Sequence, residues 1–157
     1  MKQINNKAPV VCRRQVTIYA SAKVVYHALS QINEWVLWQP EIKKAKLKGF
    51  PKAGAAFQWI SGGSKINSII HTASPYHAFG WSGKALGIYA IHNWYIDEQS
   101  DHTVVHVEES MQGLLAFMFR KNIKKKLAKG MENWLQFLKH YCEHNYGSLC
   151  HPICSPI

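Results

Sequence analysis

Residues 103–144 read TVVHVEESMQGLLAFMFRKNIKKKLAKGMENWLQFLKHYCEH, and the period of their apolar positions changes at Gly113. Before it, Val105, Val107, Glu109 and Met111 alternate with Val104, His106, Glu108 and Ser110, the two-residue period of a β-strand. After it, Ile123, Leu127, Met131, Trp134, Leu138 and Tyr141 recur at steps of three and four, opposite Lys124, Lys125, Glu132, Gln136 and Lys139. That spacing predicts one long amphipathic helix from Leu114 to Glu143. Gly130 within it costs about 1 kcal/mol relative to alanine, which predicts a close approach or a bend there.

Upstream, the same reading yields a strand, two short helices and a run of strands. Val11 to Tyr19 splits by parity, with Cys12, Val16 and Ile18 on one face and Arg14 interrupting the pattern. Ser21 reads as an N-cap for a helix over Ala22 to Ser30, and a second helical turn around Asn33 to Trp38 ends at Pro40. Ala45 and Leu47 then alternate with Lys44, Lys46 and Lys48. Further strands fit Ala55 to Ser61, Lys65 to Ala73, His77 to Lys84, Gly87 to Asp97 and Thr103 to Met111, separated by Gly62-Gly63, Ser74-Pro75, a turn at Leu86, and Ser100-Asp101. The six strands from Ile42 onward are expected to be antiparallel neighbours.

The chain has 157 residues, 47% of them hydrophobic, 12% aromatic and 18% charged. That composition excludes a disordered chain, a coiled coil and a collagen-like repeat. Residues 1–10 are expected to form a flexible arm, 11–146 one domain, and 147–157 a flexible tail containing cysteine and proline. The longest wholly apolar run, Leu114 to Phe119, is far shorter than the roughly 20 residues of a membrane span. With no signal-like stretch at the start, a soluble cytoplasmic protein is expected.

Several local strings carry a resemblance. Trp35-Val36-Leu37-Trp38-Gln39-Pro40-Glu41-Ile42, Gly54 to Trp59, Trp81-Ser82-Gly83, His92-Asn93-Trp94, and Thr103-Val104-Val105 through Glu108-Glu109-Ser110-Met111-Gln112-Gly113 resemble segments of the birch-pollen-allergen and START-like (SRPBCC) superfamily, in its polyketide cyclase/dehydrase and lipid-transport branch. The match spans roughly Val11 to Tyr146. It implies an α+β helix-grip fold, a curved antiparallel sheet of about seven strands wrapped around the long C-terminal helix. It also implies a hydrophobic small-molecule ligand, while fold alone does not specify which.

Parity selects the residues that would line the concave face. These are Phe57, Trp59, Ile66, Ser68, Ile70, Phe79, Trp81, Ala90, His92, Trp94, Val107, Glu109 and Met111, with Met131 and Trp134 from the helix. Most are apolar, and a few convergent polar groups among them suit a small-molecule site. A buried Glu109 must be paired, hydrogen-bonded or protonated. Glu108, of opposite parity, reads as a solvated surface charge.

Two functions fit this pattern. The first is a non-catalytic carrier or sensor of a lipid, quinone or polyketide-like molecule, needing no cofactor and no metal. The alternative is a cyclase or dehydratase in which His92 and Glu109 serve as acid and base. No Gly-rich phosphate loop or His-x-x-x-His pair accompanies them.

Lysine and arginine number 19 against 9 acidic residues, a formal charge of +10. The clusters Lys43, Lys44, Lys46, Lys48 and Lys52, and Arg120, Lys121, Lys124, Lys125, Lys126 and Lys129, predict peripheral contact with an anionic membrane. Specific nucleic-acid binding is not expected, because the aromatics are predicted to face inward instead of interleaving with the lysines. Cys12, Cys142, Cys150 and Cys154 form no disulfide framework, and Cys150, His151 and Cys154 lack the short-spaced pairs of a zinc site.

Overall fold

The computed structural model describes residues 1–144. The expected tail with Cys150, His151 and Cys154, and the last two residues of the expected domain, lie outside them. Seven strands form one antiparallel sheet: β1 (Val10–Ile18), β2 (Ile42–Leu47), β3 (Ala56–Ser61), β4 (Ser64–Ser74), β5 (Ala78–Ala85), β6 (Ile88–Glu98) and β7 (Thr103–Gln112). Their order in space is β1-β7-β6-β5-β4-β3-β2. Strands two to seven are therefore a simple meander, as expected, and the first strand closes onto the last in an unbroken register from Val10 opposite Met111 to Ile18 opposite Thr103.

Helix α1 (Ala22–Ser30) starts at Ser21, whose hydroxyl accepts from the Val24 N–H at 3.4 Å. A 3-10 turn (Ile32–Glu34) leads into the short α2 (Trp35–Trp38). The expected C-terminal helix is two: α3 (Leu114–Met118) and the 25-residue α4 (Arg120–His144). Phe119 between them has left helical geometry, with φ −109 and ψ 24, so the break is real. Among the described residues, none of these helices is long and apolar enough to cross a membrane.

Helix α4 lies against the concave side of the sheet, and the core between them is unusually aromatic. All six tryptophans of the chain meet around Trp134, whose ring centre is 5.2 to 6.4 Å from those of Trp35, Trp38, Trp59, Trp81 and Trp94. Mostly tilted or edge-on, such pairs add about 0.5–1.5 kcal/mol each beyond area burial. Trp35 is fully buried and its indole N–H donates to the Leu29 carbonyl at 3.0 Å, which ties α1 and α2 to this cluster. The far end of α4 is pinned by Lys139, which donates to the Thr17 carbonyl and to Glu143, both at 2.7 Å. Burial alone would raise the Glu143 carboxyl, but Lys139 and the Tyr19 N–H bring it below the usual range. Cys12 and Cys142 are buried free thiols, and burial together with the Glu143 charge pushes Cys142 up to about 12.

Three expectations need correction. The first residues are fastened to the outer face of the sheet and not loose: Ile4 is buried, the Asn5 N–H donates to Ser110 Oγ at 3.0 Å, and Asn93 Nδ2 donates to the Lys2 carbonyl at 2.9 Å. Composition alone hides this, because a single isoleucine among polar residues is enough to seat the segment. Glu108 is no free surface charge, since it pairs with Arg13 at 3.3 Å and accepts from Asn93 and Tyr95. Gly130 makes no close approach either, because a Cβ there would meet nothing within 4 Å.

Candidate ligand-binding site

Between α4 and the strands lies a cavity of about 430 Å³. Its apolar walls are Trp59, Ile66, Trp81, Ala90 and Met111 from the sheet, with Met131 and Trp134 from α4. Ser61, Gly62, Ser64, Ala85, Leu86 and Ile88 border it at the β3–β4 and β5–β6 turns, and Glu41, Lys126, Leu127 and Gly130 complete the lining.

The polar centre comes from register. Trp81 stands directly opposite His92, and His92 directly opposite Glu109, so three neighbouring strands carry one row of inward side chains. Directly opposed Cβ atoms sit only about 4.5–5.5 Å apart, which brings the three groups into contact. His92 Nδ1 is hydrogen-bonded to Glu109 Oε2, and both residues are buried. With Glu109 ionised, its carboxylate only accepts, and Nδ1–H is the donor in this bond. The other ring nitrogen, Nε2, is buried without a hydrogen-bond partner among the described residues.

Small residues shape the walls. A Cβ on Gly83 would fall 2.8 Å from Ser68 Oγ, and that hydroxyl accepts the Trp59 indole N–H at 3.1 Å. The missing side chain thus makes room for the serine that orients a cavity-wall ring. Gly130 faces the cavity across open space, and its lack of a side chain adds volume.

No protein-family model matches the sequence, and no curated protein is similar enough to match it. Solved structures do match in shape. A hypothetical protein from Helicobacter pylori superposes with a TM-score of 0.79 at 16% identity, covering 91% of this chain and 98% of that one. A START superfamily protein from Mycobacterium smegmatis gives 0.73 at 14%, covering 84% and 96%. The Zhui aromatase/cyclase from a Streptomyces species gives 0.74 at 11%, covering 84% and 92%. The fold is START-like.

Within this START-like fold the expected site residues divide. Trp59, Ile66, Trp81, Ala90, His92, Glu109, Met111, Met131 and Trp134 line the cavity. Phe57, Ser68, Ile70, Phe79, Trp94 and Val107 share their parity but lie outside its lining, and Phe57 and Ser68 border a separate hollow with Lys46, Gln58 and Asn67. Parity reports which face a side chain takes, whereas α4 and the short helices decide which part of that face stays open. Glu41, Leu86 and Lys126 were missed because turn and helix-edge positions carry no period-2 signal. Glu41 accepts from Asn133 Nδ2 at 2.6 Å, which joins the loop after α2 to α4. The basic residues expected to meet a membrane, Lys43, Lys44, Lys46, Lys48, Arg120, Lys121, Lys124, Lys125 and Lys126, are all exposed.

Proposed function

We propose that the protein binds a hydrophobic small molecule in this cavity, as a non-catalytic carrier or sensor. The observation that carries the reading is an apolar, aromatic-walled cavity whose lining includes the hydrogen-bonded pair His92 and Glu109. Its volume falls within the roughly 300–1,000 Å³ of small-molecule sites. Apolar walls supply affinity, and His92 Nε2, with the ring proton on Nδ1, accepts one directed hydrogen bond from a ligand hydroxyl. A lipid carrying a hydroxyl, an isoprenoid quinone in its reduced hydroquinone form or a phenolic polyketide-like molecule meets those demands. Peripheral contact with an anionic membrane and a cytoplasmic place of action belong to the same proposal. Native mass spectrometry of protein purified from its source tests it: a co-purifying apolar molecule is expected. Failure to find one, together with failure to bind any apolar fluorescent probe, would leave the cavity as unfilled core.

One observation favours a second reading, that of an enzyme. His92 and Glu109 line the same cavity and are bonded to each other. With Nδ1–H given to the carboxylate, Nε2 holds a lone pair and can take a proton from the carbon next to a carbonyl, leaving an enolate. The imidazolium so formed, held by Glu109, can return that proton to a departing hydroxyl as water. On a β-hydroxy ketone this eliminates water. In a cyclisation the enolate carbon attacks a second carbonyl and the imidazolium gives its proton to the alkoxide formed, so each step takes one proton and returns the imidazole to its starting state. A single-turnover assay with a polyketide-like β-ketone checks it, and an unchanged ketone excludes it.

A further inference from the structure

Leu86 both lines the cavity and is 72% exposed, so it stands at the cavity mouth. The turn that carries it lies against the start of α3: a Cβ on Gly113 would fall 2.4 Å from the Gly87 carbonyl oxygen. Of the five residues of α3 only Ala116 is buried. Leu114 is 72% exposed, Phe117 and Met118 61% each, and Leu115 and Phe119 are exposed beside them. A helix apolar on every side normally belongs in a core or in lipid. Here six large apolar side chains gather at one end, uncovered by any described residue, more than the scattered exposed apolar residues of an ordinary surface.

The charge beside this patch has one sign. From Leu114 to Met131 the chain contains no aspartate or glutamate. Arg120, Lys121, Lys124 and Lys125 follow α3 directly, all exposed and none paired with a carboxylate among the described residues. Lys126 is exposed as well and lines the cavity, which turns the mouth toward the same surface. Apolar side chains sized to enter the head-group boundary, next to unpaired cations, match the chemistry of an anionic bilayer.

We infer that this end of the molecule docks on an anionic lipid bilayer, with Leu86 and the α3 side chains entering the acyl boundary and the first turns of α4 on the head groups. The cavity mouth then faces lipid, and an apolar ligand passes between bilayer and cavity without crossing water. The inference deepens the carrier reading by placing its membrane contact, and the passage of ligand rests on that reading; docking itself does not.

Flotation of the full chain with phosphatidylcholine vesicles, with and without phosphatidylserine, tests docking with no cavity ligand present. Binding to the phosphatidylserine vesicles is expected, weakening as salt is raised. Phe117→Ser/Met118→Ser and Lys121→Glu/Lys125→Glu should each weaken it by about tenfold or more, equivalent to about 1.4 kcal/mol. Lys23→Glu, at the exposed start of α1, should change it by less than about threefold. Circular dichroism and apolar-probe binding in buffer check that every variant remains folded, and the probe separately tests the cavity. Wild-type chain that fails to float, or a Phe117→Ser/Met118→Ser variant that floats equally well, would overturn the docking surface. So would a solution dimer that this variant dissociates, since a second copy would then be the occupant.

Discussion

The imidazole of His92 lies flat against the indole of Trp81, with ring centres 4.4 Å apart and planes 14° from parallel. That contact and the Glu109 hydrogen bond hold the ring on two sides, one through its face and one through Nδ1. His92 is one of the few polar residues in the cavity lining, and its position follows from the matched registers of β5, β6 and β7.

Replacing Glu109 with glutamine distinguishes the two functions. A glutamine oxygen can still accept from the neutral imidazole, so stability should shift by no more than about 1 kcal/mol. For a carrier, affinity for an uncharged apolar probe should change by less than about tenfold. For an enzyme, turnover should fall by about 10² to 10⁴ while binding survives, because the imidazolium loses its partner. Denaturant melts, probe titration and a single-turnover assay read these outcomes.

Parity assigns Trp81 and Trp94 the same role, and the structure separates them. Both are buried, so each change to alanine should cost about 3–5 kcal/mol. Only Trp81 lines the cavity. In protein that remains folded, Trp81→Ala should weaken an apolar fluorescent probe, whereas Trp94→Ala should leave its affinity near wild type. Equal losses of affinity would mean that the cavity extends past Trp94.

Gly130 permits a test in two steps. Its added Cβ would meet nothing, so Gly130→Ala should raise stability by about 1 kcal/mol through helix propensity alone. Gly130→Leu should instead fill the cavity and weaken bulky apolar ligands, with little loss of stability. A titration series of ligands of increasing size checks this, and unchanged affinity for the largest would place the ligand elsewhere.

His71, on the outer face, is lowered to about 4, first by burial and then by the charge of Lys2. Its ring packs over Gly80, where a Cβ would fall 2.7 Å from His71 Cε1. An unfolded histidine titrates near 6.5, so between about pH 6.5 and 4 the unfolded chain binds the extra proton. Stability is therefore retained above about pH 6.5 and lost progressively as pH falls toward 4. Urea midpoints across this range should decline in the wild type, and His71→Asn should flatten that part of the profile.

The element order was legible in the sequence because periods of 2 and 3.6 are local properties of the chain. Residues 103–144 show the switch at Gly113, and Ser21 marks the start of α1. The break at Phe119 was not legible, since α3 is apolar at every position and runs into α4 with no proline or glycine to mark the boundary. Parity likewise placed His92 and Glu109 on the concave face, because successive strand residues must alternate. Neither the sequence period nor composition says that these two stand directly opposite. Strand pairing sets that, and pairing depends on contacts between residues distant along the chain.

What the sequence alone determined, then, is the succession of elements and the face each side chain takes. Tertiary structure decided the rest. It selected Trp81 and not Trp94 for the cavity wall, gave His92 its partner, turned Gly130 onto open space, and left α3 uncovered beside the mouth. The physical reason is common to all four: burial and openness depend on how α4 and the turns pack over the sheet, and no single segment carries that information.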